Sequence, residues 1–416
     1  MRFFFPDSLD TVDPGYDFAA DQHAPYRVGH RTDVFAHEYL GYAPYDGILL
    51  SKALVEGYNS SQRFRIGRRL RLLREGVHRF YERGTPLAFM GDCGAYAYIA
   101  EDTPPFSVED VLAFYITCGF DYILSVDHVV PGFIRSAPEA PEVPEEWRRR
   151  HELTLALAEE FLRTVRAWGV AAKPIGTAQG WDPSSYAASV RCLEQMGYDY
   201  IALGGMASLQ TADIMETIEA VQGVVRSGTR LHLLGVSRPQ TFKHLRRWGI
   251  ASFDSTMPLR QAFKDDKHNY HTADTAYLAL RVPQVTGNYR VGKRVQEGVF
   301  TAAEAFRLER EALESLIQFD RGHASLEEAV DAVHAYEDPF NGKDHRDAYR
   351  RLLSDSPWKQ CGCRACRELG IHVVIFRGRE RNKRRGYHNL HIFEQKLRAI
   401  FPAATPSLPT TYTEEP

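Results

Sequence analysis

The sequence contains little cysteine and no long apolar run. Six cysteines in 416 residues are too few for a disulfide scaffold, and no stretch approaches the roughly 18 apolar residues that a membrane span needs. The N-terminus, MRFFFPDSLD, carries an acidic residue at position 7 and lacks the apolar run of a signal peptide. From these absences we predict a cytoplasmic protein that does not associate with membranes.

An excess of either charge is also missing. The chain carries 51 Lys and Arg against 54 Asp and Glu, a net charge of -3, which excludes a histone-like binder of nucleic acid but allows a local basic patch. Hydrophobic residues make up 44% and charged residues 25%, the proportions of a globular chain that can bury a large core. No G-x-G-x-x-G follows a predicted strand, which disfavours a dinucleotide-binding fold.

A glycine that ends a helix-like stretch and precedes a short apolar strand occurs six times. Glycine suits a helix end because it adopts the left-handed backbone conformation without a steric penalty. With a further candidate strand at 46–50, the pattern gives seven αβ units. It predicts an α/β fold, a (β/α)8 TIM barrel whose eighth strand the pattern does not locate. The glycines are Gly84, Gly119, Gly169, Gly197, Gly228 and Gly249.

Polar residues follow several of these strands, at the end where such a barrel carries its active site. Two carboxylates facing one cavity can act as nucleophile and proton carrier at an anomeric carbon. A third carboxylate and an amide can bind the edge of a heterocycle such as a nucleobase. The alternative is a divalent-metal site built from the three aspartates, because hard cations prefer carboxylate oxygens. The residues are Asp92, Asp127, Gln179, Gly204, Gly205 and Asp254.

Three of the six cysteines lie within six residues near the C-terminus, which suggests a metal site in a reducing compartment. Cys361, Cys363 and Cys366 are followed by His388 and His391. Three thiolates and one imidazole are the ligands of a closed tetrahedral zinc site, which stabilises a small subdomain rather than catalysing. Either histidine could complete a structural Zn²⁺ site. We favour His388, which begins a helical stretch from which its ring could reach back to the cysteines.

A basic run lies between these cysteines and the final helical stretch. A charged run alone is most often a solvated face, but attachment to a zinc subdomain favours contact with nucleic-acid phosphates. We interpret the arginines of a helix predicted over 62–83 as a solvated face instead. The basic residues of the run are Arg377, Arg379, Arg381, Lys383, Arg384 and Arg385.

Two segments break the alternation of helices and strands. Residues 137–146 are rich in Pro and Glu and follow a predicted strand, which favours a loop at the barrel mouth. The last sixteen residues contain four prolines and no periodicity, which is typical of a disordered tail. We predict a barrel over 1–355, a zinc-binding subdomain over 356–400 and a tail over 401–416.

Six ordered segments resemble the tRNA-guanine transglycosylase family, which implies a (β/α)8 enzyme with a C-terminal zinc subdomain. The match runs from about residue 85 to residue 391. The segments are MGDCGAY at 90–96 (similar to T-D-S-G-G-F-Q), FDYILSVD at 120–127, AQG at 178–180 (V-Q-G), LGGMA at 203–207 (G-G-L-A), FDSTMPLR at 253–260 (F-D-C-V-L-P-T-R), and the zinc ligands with HNL at 388–390.

The resemblance implies a role for each residue at the predicted mouth. It makes Asp254 the nucleophile, which forms a covalent glycosyl intermediate, and Asp92 the general acid/base. Asp127, Gln179 and the backbone at Gly204 and Gly205 would hold the base.

Cys93 stands where the family has a serine. It lacks an identifiable histidine partner that would make it a nucleophile, so we expect it to form part of the wall that binds the base. The residue after Asp127 is His128, where the family has an acidic residue.

The N-terminal segment FFFPDSLDTVDPGYDF and the segments MGDCGAY and SVDHV more closely resemble the DpdA branch, the DNA-modifying relatives of the tRNA enzymes. This resemblance implies exchange of guanine in DNA for the 7-deazaguanine preQ0, with help from a partner ATPase. The alternatives are a transglycosylase acting on tRNA and a non-catalytic nucleic-acid-binding protein.

Overall fold

The computed structural model describes residues 1–7, 9–58, 64–81, 86–135, 141–236 and 238–402. Within these ranges, eight parallel strands pair in sequence order and close into a barrel. The predicted TIM barrel is therefore confirmed. The strands are β1 (Arg2–Pro6), β2 (Gly47–Ser51), β3 (Ala88–Asp92), β4 (Tyr122–Leu124), β5 (Lys173–Ala178), β6 (Tyr200–Leu203), β7 (Arg230–Leu233) and β8 (Ser252–Asp254).

β1 is the strand that the glycine pattern did not locate. It covers Arg2–Pro6, and none of the six glycines of the pattern lies before it. Phe4 packs in the barrel interior, whereas Phe3 and Phe5 pack in the layer between strands and helices. Phe4 lies opposite Gly47 of β2 and Asp254 of β8. The first strand therefore closes the barrel beside the end of the last one.

Helices separate the strands and cover the barrel. The helix Val108–Cys118 begins after Ser107, whose hydroxyl accepts a hydrogen bond from the Asp110 N–H at 3.1 Å. Gly119 ends that helix with φ of 73°, as predicted. The helices are Gly29–Thr32, Ala36–Leu40, Lys52–Glu56, Ile66–Tyr81, Val108–Cys118, Glu145–Ala167, Pro183–Met196, Thr211–Gln222, Phe242–Arg247 and Met257–Lys264.

A further helical layer follows the barrel and contains the cysteine cluster. Two small sheets belong to it: Tyr270–His271 pairs antiparallel with Ala276–Tyr277, and Leu280–Arg281 pairs parallel with Ile375–Phe376. The predicted boundary between residues 355 and 356 stays a prediction. The helices of this layer are Tyr289–Gln296, Ala302–Asp320, Leu326–Asn341, Arg346–Asp355, Pro357–Gln360, Arg364–Leu369 and Gly378–Ile400.

The last helix, Gly378–Ile400, packs closely against the helix Met257–Lys264. Gly386 permits this approach, because a Cβ atom at this position would lie only 2.9 Å from Leu259 Cγ. The contact fixes the C-terminal helix against the element that follows β8. The cysteine-containing layer and the carboxyl end of β8 are thereby held in one structure.

The basic run lies inside this interface rather than on the surface. Five of its six cations are buried, so the predicted contact of these five with nucleic acid is wrong. Of the run, Arg379 is exposed. The buried cations are Arg377, Arg381, Lys383, Arg384 and Arg385.

These buried cations hold the N-terminal segment against the last helix. Arg377 and Arg381 both pair with Asp21. Arg384 pairs with Glu380 at 2.6 Å, and the other two cations donate to backbone carbonyls. Burial of a cation is tolerated only where such acceptors compensate for its lost hydration. Many of the acceptors belong to the N-terminal segment, at the opposite end of the chain.

No helix in the described ranges is both long and apolar enough to cross a membrane. Some features interpreted from the sequence lie outside those ranges. They are Gly84 before β3, residues 137–140 of the predicted loop, and residues 403–416 of the predicted tail.

Candidate active site

A cavity of about 540 Å³ opens at the carboxyl ends of the barrel strands, where barrels of this type carry their catalytic groups. All the residues predicted for the active site except Cys93 line it. The lining includes Asp92, Asp127, Gln179, Gly204, Gly205 and Asp254, together with Tyr96, Leu234 and Arg260.

Asp127 follows β4, and two side-chain donors fix its carboxylate. Gln179 Nε2 donates to Oδ2 at 2.7 Å, and the Cys93 thiol donates to Oδ1 at 3.2 Å. Burial raises the pKa of Asp127, and these two hydrogen bonds partly offset the rise. Asp127 and Gln179 therefore form a polar wall with donors and acceptors at fixed positions.

Cys93 lies behind Asp127, fully buried, and does not line the cavity. Its sulfur also accepts a hydrogen bond from the Tyr98 hydroxyl at 3.1 Å. Burial, with the charges of Asp127 and Asp92, raises the pKa of the thiol well above its ordinary value. The predicted direct contact of Cys93 with a base is therefore wrong. Cys93 acts on the cavity by orienting Asp127.

The turn after β6 requires glycine at two consecutive positions. A Cβ atom at Gly204 would lie 2.3 Å from Gln179 Nε2, and Gly205 has a φ of 72°, which favours glycine. Tyr186 donates its hydroxyl to the Gly204 carbonyl at 2.7 Å. The turn therefore presents exposed backbone to the cavity directly beside Gln179.

Asp92 ends β3 and is the carboxyl group whose ionisation is most strongly disfavoured at the cavity wall. Burial, and next the negative charge of Asp127, raises the pKa of Asp92 from 3.8 to about 7. Hydrogen bonds from the backbone N–H groups of Gly94 and Cys93 lower it only in part. A carboxyl with a pKa near neutrality can both give and take a proton at physiological pH.

Asp254 ends β8 and is held differently. Its Oδ1 accepts hydrogen bonds from the Gly235 N–H at 2.9 Å and from His232 Nε2 at 3.2 Å. Within the described part of the chain, Oδ2 accepts no hydrogen bond. One oxygen of a nearly buried carboxylate is thus fixed, and the other is available at the cavity wall.

A chain of buried hydrogen bonds leads to Asp254 from the barrel interior. Because a carboxylate can only accept, His232 Nε2 carries the proton that it shares with Asp254. His232 Nδ1 lies 2.5 Å from Ser252 Oγ, which lies 2.5 Å from the Tyr200 hydroxyl. Every donor can then point toward Asp254, with Tyr200 donating to Ser252 and Ser252 donating to His232. This arrangement places a donor from the barrel interior on Asp254 Oδ1.

Sequence reasoning missed two features of this cavity. Tyr96, half exposed at the cavity wall, lies within the segment 90–96 that carries the family resemblance, so its position could have been found. His232 lies in the middle of an apolar strand. Ser252 lies on β8 and Tyr200 on β6, and no pattern in the sequence near His232 predicts the hydrogen bonds that join these three residues.

A second set of polar groups lies in the C-terminal layer. Among the described residues, the one group of at least three close metal-ligating atoms is this set, with its atoms within 4.8 Å of one another. Among the described residues, the three aspartates of the cavity form no such group. The set consists of Cys361, Cys363, Cys366 and His388.

His388, the favoured fourth ligand, is oriented toward the cysteines. Its Nδ1 lies 3.3 to 3.5 Å from the three sulfur atoms, and its Nε2 donates to the His271 carbonyl at 2.7 Å. Such a second hydrogen bond typically fixes a metal-binding histidine. His391 contacts the Tyr42 hydroxyl and is not a member of the group of close ligating atoms. The donor set therefore fits a metal ion held for structural purposes.

Comparison with known proteins gives two findings. The sequence profile of the queuine tRNA-ribosyltransferase family matches residues 100–278. A DNA-guanine transglycosylase from Salmonella montevideo is 42% identical over 404 residues, which cover 95% of this chain and 96% of that protein.

The raised pKa of Asp92 predicts a pH-dependent gain in stability for Asp92→Asn. The pKa of Asp92 is higher in the folded than in the unfolded chain. The free energy of unfolding of the wild-type protein therefore falls as the pH rises from about 4 to about 7. Asparagine avoids that loss. We expect Asp92→Asn to stabilise the protein by roughly 2–4 kcal/mol at pH 8, with the gain vanishing toward pH 4.

Urea unfolding at both pH values measures this gain. Asp102→Asn is the matched control, because the Asp102 side chain is 97% exposed. An Asp92→Asn gain that is equal at pH 4 and pH 8 would contradict the burial of an ionisable Asp92.

Proposed function

The chain belongs to the guanine transglycosylase family, and from this premise we propose that it replaces guanine in DNA with the 7-deazaguanine preQ0 by double displacement. The observation that carries the proposal is the asymmetry of the two strand-end carboxyl groups. Asp254 is fixed through one oxygen by two donors, whereas the pKa of Asp92 lies near 7. A nucleophile and a proton carrier need these two different environments.

In the first displacement, Asp254 Oδ2 attacks C1′ of the target nucleotide. The bond between C1′ and the guanine nitrogen breaks as the bond from C1′ to the carboxylate forms. Protonated Asp92 supplies a proton to the departing base, which leaves as neutral guanine. The hydrogen bonds to Oδ1 then rest on the carbonyl oxygen of the new ester.

In the second displacement, the ionised Asp92 takes the proton from the ring nitrogen of the incoming deazapurine. That nitrogen attacks C1′ and releases Asp254 as a carboxylate. Two inversions at C1′ restore the original β configuration. Protons and bonds balance over the cycle, and the exchange needs no nucleotide cofactor. A partner ATPase, which the family resemblance implies, would therefore act outside this reaction.

Asp127, Gln179 and the backbone at Gly205 would hold either base in turn. Their donors and acceptors lie on one wall, which suits the edge of a purine or deazapurine. Tyr96 is half exposed at the same cavity and would stack on the base plane. These contacts would offset the few kcal/mol that flipping a nucleotide out of a duplex costs.

Cys361, Cys363, Cys366 and His388 would hold a Zn²⁺ ion that stabilises the C-terminal layer. Three thiolates and an imidazole leave no open coordination position for a substrate. These four residues would hold the middle of the last helix, where His388 lies, to the cysteine loop, and no step of the exchange is assigned to them.

The first prediction concerns the polymer and the nucleophile. The wild-type chain is expected to incorporate labelled guanine into duplex DNA and not into tRNA, because the relative that matches it over nearly its whole length is, by its name, a DNA-guanine transglycosylase. Asp254→Asn is expected to lower the rate at least about 10³-fold, while Asp102→Asn stays near wild type. Incorporation into tRNA alone would favour the tRNA alternative. Binding to both polymers without exchange would favour a non-catalytic protein.

The second prediction concerns His232 as a positioning residue. His232→Leu removes one of the two donors to Asp254 and is expected to lower kcat about 10- to 100-fold with little change in KM. His232→Gln can still donate an N–H group and should recover part of the loss. Equal and parallel changes of kcat and KM in both variants, with unchanged folding by circular dichroism, would show that His232 does not position the nucleophile.

The third prediction concerns the metal. We expect elemental analysis of the purified chain to find about one zinc ion per chain. Cys366→Ser should lose the metal and lower the Tm, because the ligands join the cysteine loop to the middle of the last helix. Cys192→Ser, on the barrel helix Pro183–Met196, is the matched control and should keep both. An unchanged Tm in a metal-free Cys366→Ser protein would contradict a structural metal.

A further inference from the structure

The start of the helix Ile66–Tyr81 presents an unusual exposed surface. Ile66 is 77% exposed and Leu70 is 59% exposed, and the two lie one helical turn apart on the same side. Arg65 is exposed and Arg69 is partly exposed beside them. We call these four residues the arginine face. Large apolar side chains exposed among cations are a signature of a surface that meets a partner.

The arginine face adjoins the mouth of the active-site cavity. Helices that follow barrel strands begin at the carboxyl end of the barrel, where the cavity opens. Leu54 lines that cavity, and its carbonyl accepts a hydrogen bond from the Phe64 N–H at 3.5 Å. Phe64 immediately precedes Arg65. This hydrogen bond therefore connects the residue before the arginine face to the cavity wall.

The charge of this region is positive. The helix Ile66–Tyr81 carries five arginines and one glutamate. Arg69 lies 3.4 Å from Glu56, but that carboxylate is already bound by Lys52 at 2.5 Å. Within the described ranges, Arg65 has no ion-pair partner. Guanidinium charge is thus left uncompensated beside the cavity, where a polyanion would be attracted.

We propose that the arginine face holds the DNA that flanks the exchanged guanine. Arg65 and Arg69 would bind phosphates of the strand, which positions a nucleic acid without reading its sequence. Ile66 and Leu70 would pack against the sugars and the base faces that flipping exposes, as apolar wedges do in other DNA complexes. The inference rests on the proposed function and identifies the surface that binds the DNA substrate.

The buried basic run strengthens this assignment. Five of its six cations are buried and bind Asp21, Glu380 or backbone carbonyls, so these five are not available to phosphates. The helix arginines, interpreted from sequence as a solvated face, are the ones that lie beside the mouth. The helix arginines therefore take the phosphate-binding role that the sequence suggested for the basic run.

The salt dependence of DNA binding tests the charged half of the proposal. Removal of one phosphate-binding cation should lower the slope of log affinity against log salt by about 0.9. For full-length Arg65→Ala/Arg69→Ala we expect a slope about two units shallower, measured by anisotropy with a guanine-containing duplex between about 50 and 300 mM salt. Equal slopes for variant and wild type would overturn the proposal.

Arg163→Ala/Arg191→Ala is the matched control. Both arginines are exposed, and they lie toward the carboxyl ends of the helices Glu145–Ala167 and Pro183–Met196, at the opposite end of the barrel from the mouth. Their loss should leave the slope unchanged. A reduction equal to that of the arginine-face variant would show a diffuse charge effect and overturn the assigned surface.

Ile66→Ser/Leu70→Ser tests the apolar half. We expect exchange in a duplex to fall about tenfold while exchange in the corresponding single strand stays near wild type, because only the duplex requires flipping against a base stack. An equal loss of exchange in the duplex and in the single strand would show that Ile66 and Leu70 do not act as a wedge.

The slope measurement needs only binding, so it remains decisive if the chain proves unable to exchange bases. A slope that changes for tRNA but not for DNA would assign the surface to the other polymer and overturn the proposal.

Discussion

The pairing of the first strand with the last is the constraint on which the rest of the molecule depends. It closes the barrel between β1 and β8 and sets Phe4 against Asp254. The segment that follows β1 is held by buried arginines of the last helix, and that helix packs on the element after β8 through Gly386. Barrel closure, the N-terminal segment and the cysteine-containing layer are therefore one connected arrangement.

Three aspartates share the cavity formed by this closure, and their surroundings divide them. Asp127 accepts hydrogen bonds from Gln179 and Cys93, Asp254 is fixed through one oxygen, and the pKa of Asp92 rests near 7. Donors fix Asp127 and Asp254, whereas burial and the charge of Asp127 raise the pKa of Asp92. A site whose neighbouring acids differ in protonation can hold both a nucleophile and a proton carrier.

Patterns among neighbouring residues predicted the αβ units of the barrel. They did not predict contacts between residues that are far apart in the sequence. Glycine-terminated helices such as Val108–Cys118 and the strand-end position of Asp92 follow from periodicity and backbone preference. β1 carries no such signal, because none of the glycines of the pattern lies before it. The burial of Arg381 and the contact of His232 with Ser252 depend on partners brought close only by the folded barrel. A run of charges or a histidine in an apolar strand has no local feature that reveals such partners.

The covalent bond between Asp254 and the sugar is the central claim, and peptide mapping of the trapped intermediate tests it most directly. The chain would be incubated with guanine-containing duplex in the absence of an incoming base, denatured and digested, and the peptides analysed by mass spectrometry. The account predicts a deoxyribose-linked adduct on the peptide that contains Asp254, absent from Asp254→Asn. An adduct mapped to Asp92 or Cys93, or efficient base exchange with no adduct at Asp254, would contradict it.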